Sequence, residues 1–172
     1  MTPADIDETP RADESPEDYV RRLAREKAEA VWARHSDLPT LAADTTVVID
    51  GEILGKPETL ADAQRMLSKL SGRTHAVHTG IALRHTSGTL VNVSTSTVSF
   101  GALSPEQIRA YWDSTEPQGK AGAYAIQGLG AVFVRNVSGS YTGVMGLPLF
   151  ETAELLRHAG IPVWNGAFEG ER

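Results

Sequence analysis

Thr40-Leu41-Ala42-Ala43-Asp44-Thr45-Thr46-Val47-Val48-Ile49 is apolar at both ends, rich in β-branched residues, and carries a carboxylate in its middle. A strand buried on both faces reads as a nearly unbroken Val/Ile/Leu run. Asp44 interrupts that run, and an unpaired charge is costly to bury unless a partner or a metal compensates it. Two readings follow: Asp44 caps a turn at a strand end, or it is held toward a cleft for chemistry. Next, Asp50-Gly51 is the dipeptide of a tight hairpin turn, and Glu52-Ile53-Leu54-Gly55-Lys56-Pro57 returns. That geometry lets Asp44 and Lys56 meet across a hairpin.

Upstream, Ser15-Pro16-Glu17-Asp18 opens a helix, with Ser as N-cap, Pro at the first helical position and acids in the first turn. Val20, Leu23, Ala24 and Val31 fall on one stripe, and Lys27 lies on that stripe between them. Lys27 either snorkels to solvent or reaches a cleft and awaits an anion. Residues 1–14 are acidic and Pro-containing, which predicts a flexible tail, as does 166–172 at the other end.

Downstream, Thr59 and Asp62 form a capping box ahead of a helix whose face is Ala63, Met66, Leu67 and Leu70, ending at Ser71-Gly72. Thr74–Arg84 and Thr89–Phe100 alternate and read as an antiparallel pair turned at Thr86-Ser87-Gly88. Ser104-Pro105-Glu106 starts a helix that packs through Ile108, Tyr111 and Trp112. Glycine is then dense, and Tyr124–Gln127 and Ala131–Val137 read as short strands. Pro148 starts the last helix, running to Gly160, and Pro162-Val163-Trp164 reads as a final strand. At 172 residues, without repeat or linker, the chain is expected to form one domain over 1–172.

Hydrophobic content of 41 % and charged content of 22 % are ordinary for a globular protein. A net charge of −6 argues against nucleic acid or an anionic membrane as partner, but not against a small nucleotide, which meets local cations. With no cysteine there is neither disulfide framework nor thiolate chemistry. The acidic Met1–Asp18 lacks the apolar segment of a signal peptide, and a cytoplasmic protein is expected.

The glycine-dense segment has no Gly-Lys-Ser/Thr, and Gly128-Leu129-Gly130 does not sit between a strand and a helix, so neither phosphate-loop motif is present. Those glycines read as bulges or as close approaches of backbone to a ligand. Gln127 either is solvated or offers an amide, which donates and accepts, to the edge of a uracil or thymine ring. His35, His75, His78, His85 and His158 show no zinc spacing and read as surface or cleft-rim residues. What remains is Glu8, Asp44, Lys27, Lys56 and Lys120. Carboxylates suit a cation of the Mg²⁺ type and a water to be deprotonated, and lysines suit phosphate oxygens. That set suggests hydrolysis of a phosphate ester or anhydride.

Glu17–Ala28, Ala43-Asp44-Thr45, Gly55-Lys56-Pro57, Leu67–Gly72, Lys120–Gly128 and Gly146-Leu147-Pro148-Leu149 together resemble, in order, the Maf (septum-formation-inhibitor) family of nucleoside triphosphate pyrophosphatases. The resemblance implies an elongated α/β fold, related to inosine triphosphate pyrophosphatases, with a mixed sheet, flanking helices and a cleft between two lobes. It implies release of pyrophosphate from a nucleoside triphosphate with a divalent cation, Mg²⁺ or Mn²⁺, and a homodimer. By the same resemblance Asp44 is the proton acceptor, Thr45 is tied to substrate choice, and Lys27 and Lys56 stand at the phosphates. Glu8, with Asp44, stands at the metal, and Gln127 selects the base. The Ala-Tyr-Ala-Ile-Gln-Gly form is similar to the subgroup preferring dTTP and UTP; the alternatives are 7-methyl-GTP or deaminated purine nucleotides. The family also opens with a strand and a Ser-x-Ser-Pro-Arg-Arg loop, neither of which is found here. Two consequences are expected, a site without that arginine clamp and a sheet edge or face left uncovered, and the further alternative is a catalytically impaired short form that binds nucleotide or a partner without turnover.

Overall fold

The computed structural model describes residues 2–35 and 38–164, so the expected tail at 166–172 lies outside the described residues. The predicted first helix is α1, Pro16–Trp32. Ser15 sits in extended backbone and its hydroxyl accepts from the Asp18 amide, which satisfies one of the first-turn N–H groups. The quoted stretch is strand β1, Thr40–Ile49, turned at Asp50-Gly51 into β2, Glu52–Leu54. Both turn residues have positive φ (53° and 77°), as a type I′ turn requires. The capping box at Thr59 and Asp62 is present in both directions and starts α2, Leu60–Leu70. Strands β3, Thr74–His85, and β4, Gly88–Phe100, follow, then α3, Pro105–Asp113. The last described elements are β5, Val134–Ser138, a short α4, Tyr141–Val144, and α5, Leu149–His158.

The α/β fold with flanking helices is as expected. Its five-stranded sheet, in the order β2-β1-β3-β4-β5, is antiparallel in every described pairing rather than mixed. Three further expectations are corrected. Tyr124–Gln127 is not a strand, and Ala131 lies in a 3₁₀ turn (Leu129–Phe133) that precedes β5. Positive φ at Gly122 and Ala123 (67° and 63°) turns the backbone out of any extended run just before Tyr124. Pro162–Trp164 forms no strand either.

The sheet buries both faces. On one, Val47, Ile49, Val77, Val98 and Phe100 pack on α2 and α3. On the other, Ala42 and Ala82 receive Ala24 and Ala28 of α1. A Cβ at Gly80 would fall on the Val20 carbonyl, so the absent side chain lets α1 settle directly onto β3. Gly80 is the register partner of Asp44. The close approach of α1 to the sheet is therefore centred beside the carboxylate.

His75 and His78 depart from their expected surface or cleft-rim roles: they retain only 3 % and 8 % of their exposure. His75 lies edge-on to Phe100 and Tyr124, its Nε2 2.8 Å from the Tyr124 hydroxyl, and burial pushes its pKa down to about 4. It is a neutral core residue at physiological pH.

Residues 2–14, expected as a tail, carry no helix or strand but lie on α1 through specific bonds. Arg22 donates to Glu14 at 2.6 and 2.8 Å and to the Thr9 carbonyl at 3.1 Å; the Arg22 hydrogen bond holds Glu14 at a pKa of about 2. Arg34 donates to the Pro3 and Ala4 carbonyls. An uncovered sheet edge is also found. Residues 40–46 pair with β3 on one side, and among the described residues no strand pairs with their other edge.

Candidate active site

In the interior of β1 the side chains alternate between faces. Ala42 packs with α1, and Asp44, two residues on, points to the same side. From α1, Lys27 comes down to meet it: Lys27 Nζ is 2.6 Å from Asp44 Oδ1. The same ammonium lies 2.7 Å from Glu8 Oε1. Glu8 is brought there by the segment preceding α1, where the Tyr19 hydroxyl donates to its main-chain carbonyl at 2.8 Å. Both anomalies of the sequence, a carboxylate inside a strand and a lysine on an apolar stripe, are thus one feature. Their side chains are 12 % and 20 % exposed, against 45 % for Glu8, so the cluster is closed toward the sheet and open toward Glu8.

Burial raises the Asp44 pKa above its ordinary 3.8, although the Lys27 hydrogen bond and the more distant Lys56 charge pull it down. Burial would lower the Lys27 pKa, but its hydrogen bonds to Asp44 and Glu8 prevail and hold it above 10.5. The Lys27 hydrogen bond keeps Glu8 below 4.5 against its modest burial. The result is a fixed cation flanked by one carboxylate that ionises readily and one that keeps a raised proton affinity. Lys56 is exposed and makes no ion pair among the described residues, yet its charge is felt by both Asp44 and Glu8. It does not bond Asp44 across the hairpin; Leu54 already pairs with Val47, so Lys56 has passed beyond the ladder.

Thr45 is not part of this cluster. Alternation sends it to the opposite face of the sheet, where its hydroxyl lies 2.8 Å from Thr79 Oγ1. Thr79 donates its one hydroxyl hydrogen to the Gly143 carbonyl at 2.8 Å, so Thr45 must be the donor in the shared bond. What Thr45 has left to offer is acceptor lone pairs. Gln127 is exposed, and among the described residues no hydrogen bond ties its side chain to the cluster. Its segment is nonetheless anchored beside Lys56: the Gly122 amide donates to the Gly55 carbonyl at 3.0 Å. The structure therefore brings Glu8, Lys27 and Asp44 together, sets Lys56 within electrostatic range, and leaves Thr45 and Gln127 apart. Lys120 is exposed.

A groove of about 1130 Å³ opens beside the cluster, with Glu8 and Lys27 on one wall and, on another, residues 38–43, which lead into the unpaired β1 edge. Among the described residues, no group of three or more His, Asp or Glu is gathered to hold a metal ion. Two residues matter here that sequence reasoning passed over. Thr79 fixes the Thr45 hydroxyl, and its partnership follows from strand register, which a single strand's pattern does not contain. Glu116 binds the backbone next to Gln127, and nothing in its immediate sequence signals that role.

The family model for Maf-like protein matches residues 1–159. The chain belongs to the Maf-like family. This Maf-like chain is also 53 % identical over 167 residues to a protein of Nitrosomonas europaea named dTTP/UTP pyrophosphatase, covering 94 % of the chain and 81 % of the relative. A Methylobacillus flagellatus protein of the same name is 55 % identical over 165 residues, covering 95 % and 83 %. A third, from Myxococcus xanthus, is 53 % identical over 170 residues, covering 97 % and 85 %. The resemblance carried by the sequence motifs is thereby established. No described helix of this Maf-like chain is long and apolar enough to cross a membrane.

Proposed function

We propose that this chain is a cytoplasmic nucleoside triphosphate pyrophosphatase that hydrolyses dTTP and UTP to the monophosphate and pyrophosphate. The observation that carries the reading is the Lys27 ammonium held between Asp44 and Glu8. A buried cation between two carboxylates, beside an open groove, is a place where a metal-bound polyphosphate can exchange into existing contacts. The names of the relatives supply the substrate class. As in the family, a homodimer is the form proposed.

The two carboxylates fit a hard divalent cation, Mg²⁺ or Mn²⁺, which takes oxygen ligands and completes its shell with water and substrate phosphates. Glu8 and Asp44 would hold it, and when bound it neutralises phosphate charge. Lys27, released from its carboxylates, is placed to bind phosphoryl oxygens, and Lys56 adds a second positive charge at the rim. Asp44 takes a proton from water as the water oxygen attacks the α-phosphorus. The bond from that phosphorus to the bridging oxygen breaks, and pyrophosphate leaves with the electron pair. A raised pKa makes Asp44 a stronger base than an ordinary carboxylate. Thr45 and Gln127 are assigned to substrate choice, Gln127 through its amide against the ring edge of uracil or thymine.

A substrate panel tests the assignment. Pyrophosphate release is expected from UTP and dTTP at kcat/KM at least about tenfold above 7-methyl-GTP and ITP, the margin of one well-made base contact. Higher activity on either purine nucleotide overturns the pyrimidine reading. Nucleotide binding with no release from any of the four overturns the enzyme reading.

A further inference from the structure

Gly128 and Gly130 flank the backbone just after Gln127. Neither lies against open space: a Cβ on Gly128 would fall on the Glu116 carboxylate, and one on Gly130 would come within 2.6 Å of the Tyr111 hydroxyl. The glycines make room for a side chain of this protein rather than for a ligand.

Glu116 lies half-buried in the loop after α3. Its Oε2 accepts from the Leu129 amide at 2.8 Å, and its Oε1 accepts from the Gly130 amide at 2.9 Å and from the Tyr111 hydroxyl at 2.7 Å. The Tyr111 oxygen in turn accepts from the Ala125 amide at 3.1 Å. Three backbone N–H groups, at 125, 129 and 130, thus converge on one carboxylate–phenol pair. They bracket Gln127 on both sides. Tyr111 is itself held in the core, edge-on to Phe133 at 5.0 Å between ring centroids. Burial works against the charge on Glu116, but the two amides and the phenol stabilise it and hold its pKa below the ordinary value.

An ionised carboxylate is the group that can accept three such bonds, because it carries no hydrogen of its own. Charge-assisted bonds of this kind are stronger than neutral ones and hold geometry more closely. Residues 124–127 lack a strand partner, so no sheet ladder does this work in their place.

We propose that Glu116, with Tyr111, is a positioning residue for base selection: it fixes the 125–130 backbone so that Gln127 presents its amide to the pyrimidine at one height and angle. The inference rests on the reading of Gln127 as the residue that meets the base. Uracil and cytosine differ at ring positions 3 and 4, where the donor and acceptor exchange. An amide held in one orientation separates them; a wandering one does not.

Glu116→Gln is the direct test, since it keeps the shape but places an amide –NH₂ against a backbone donor. The measurements are kcat and KM for UTP and CTP by pyrophosphate release, calorimetric binding of pyrophosphate with Mg²⁺, and hydrogen exchange at the Leu129 and Gly130 amides. Expected are a rise in KM for UTP of about tenfold with little change in kcat, and a UTP-to-CTP ratio of kcat/KM reduced about fivefold or more. Pyrophosphate affinity is expected to stay within about twofold of wild type, because the lysines assigned to the phosphates, Lys27 and Lys56, lie outside this loop. Exchange at Leu129 and Gly130 quickens while β3 and β4 remain protected. Tyr111→Phe, which keeps the ring in the core, is expected to reproduce the pattern more weakly and covers a poorly folding Glu116 variant. An unchanged UTP-to-CTP ratio in both variants, or pyrophosphate binding lost in step with UTP activity, overturns the proposal. A wild-type chain that takes CTP as readily as UTP overturns the base reading beneath it, and the positioning role falls with it.

Discussion

Asp44→Asn is expected to lower kcat for UTP by about 10³-fold or more, at the upper end of what a general base contributes, while nucleotide affinity changes by less than about fivefold. The asymmetry follows from what the substitution leaves in place. Asparagine keeps the size of the side chain and an oxygen toward Lys27, and Lys27 retains Glu8 at 2.7 Å. The fold should not suffer either. A carboxyl whose folded pKa is raised stabilises the fold below its ordinary value of 3.8, and that contribution is lost as pH rises through the raised value. Above that raised value the buried Asp44 charge is itself a cost of folding, which Asn removes, while Lys27 gives up one of its two carboxylate partners. Steady-state kinetics beside calorimetric binding of a non-hydrolysable UTP analogue separates the two quantities. Equal loss of binding and turnover would show that Asp44 holds the site together and does not act on water.

Lys27→Met carries the second large effect, and here both activity and stability should fall. The thioether fits the apolar stripe of α1 but leaves Asp44 and Glu8 facing a position with no cation. The folded pKa of Lys27 lies above 10.5, so its pairing stabilises the protein throughout the neutral range and is lost only as pH rises past that raised value. Its removal is expected to cost about 2 kcal/mol, less than for a fully buried pair because Glu8 is nearly half exposed and rehydrates. Turnover should fall by about 10²-fold from the lost charge on the phosphoryl oxygens. Lys27 is also the main influence lowering the Asp44 pKa, so Asp44 in the variant keeps its proton to higher pH. The acid limb of kcat/KM should move upward, and a pH profile from 4 to 9 reads this directly. An acid limb that stays in place, with activity lost, would assign Lys27 to binding alone.

Much of the fold was legible because its signals are local. Ser15-Pro16 marks the start of α1, and Asp50-Gly51 turns the hairpin with both φ angles positive. Thr59 and Asp62 bond each other within one helical turn. Asp44 and Lys27 were legible as exceptions to apolar patterns, and each exception is the other's explanation. What stayed hidden is long-range. Tyr124–Gln127 has the composition of a strand, yet it is held by the Tyr111 hydroxyl at the Ala125 amide and by Glu116 at the Leu129 and Gly130 amides just beyond it, bonds that appear only in three dimensions. His75 is a polar residue in an alternating run, and its burial depends on Phe100 and Tyr124, from other parts of the chain. The separation of Thr45 from Asp44 is a different case. Adjacent residues in a regular strand point to opposite faces, so the pattern already held that answer.

Hydrolysis of UTP in water enriched in ¹⁸O, with both products resolved by mass spectrometry, tests most directly whether water is delivered to the α-phosphorus. Incorporation of one heavy oxygen into UMP, with pyrophosphate left unlabelled, is the predicted result. Label in the pyrophosphate, or orthophosphate as the first product, would place the attack at another phosphorus and contradict the arrangement assigned to Glu8, Lys27 and Asp44.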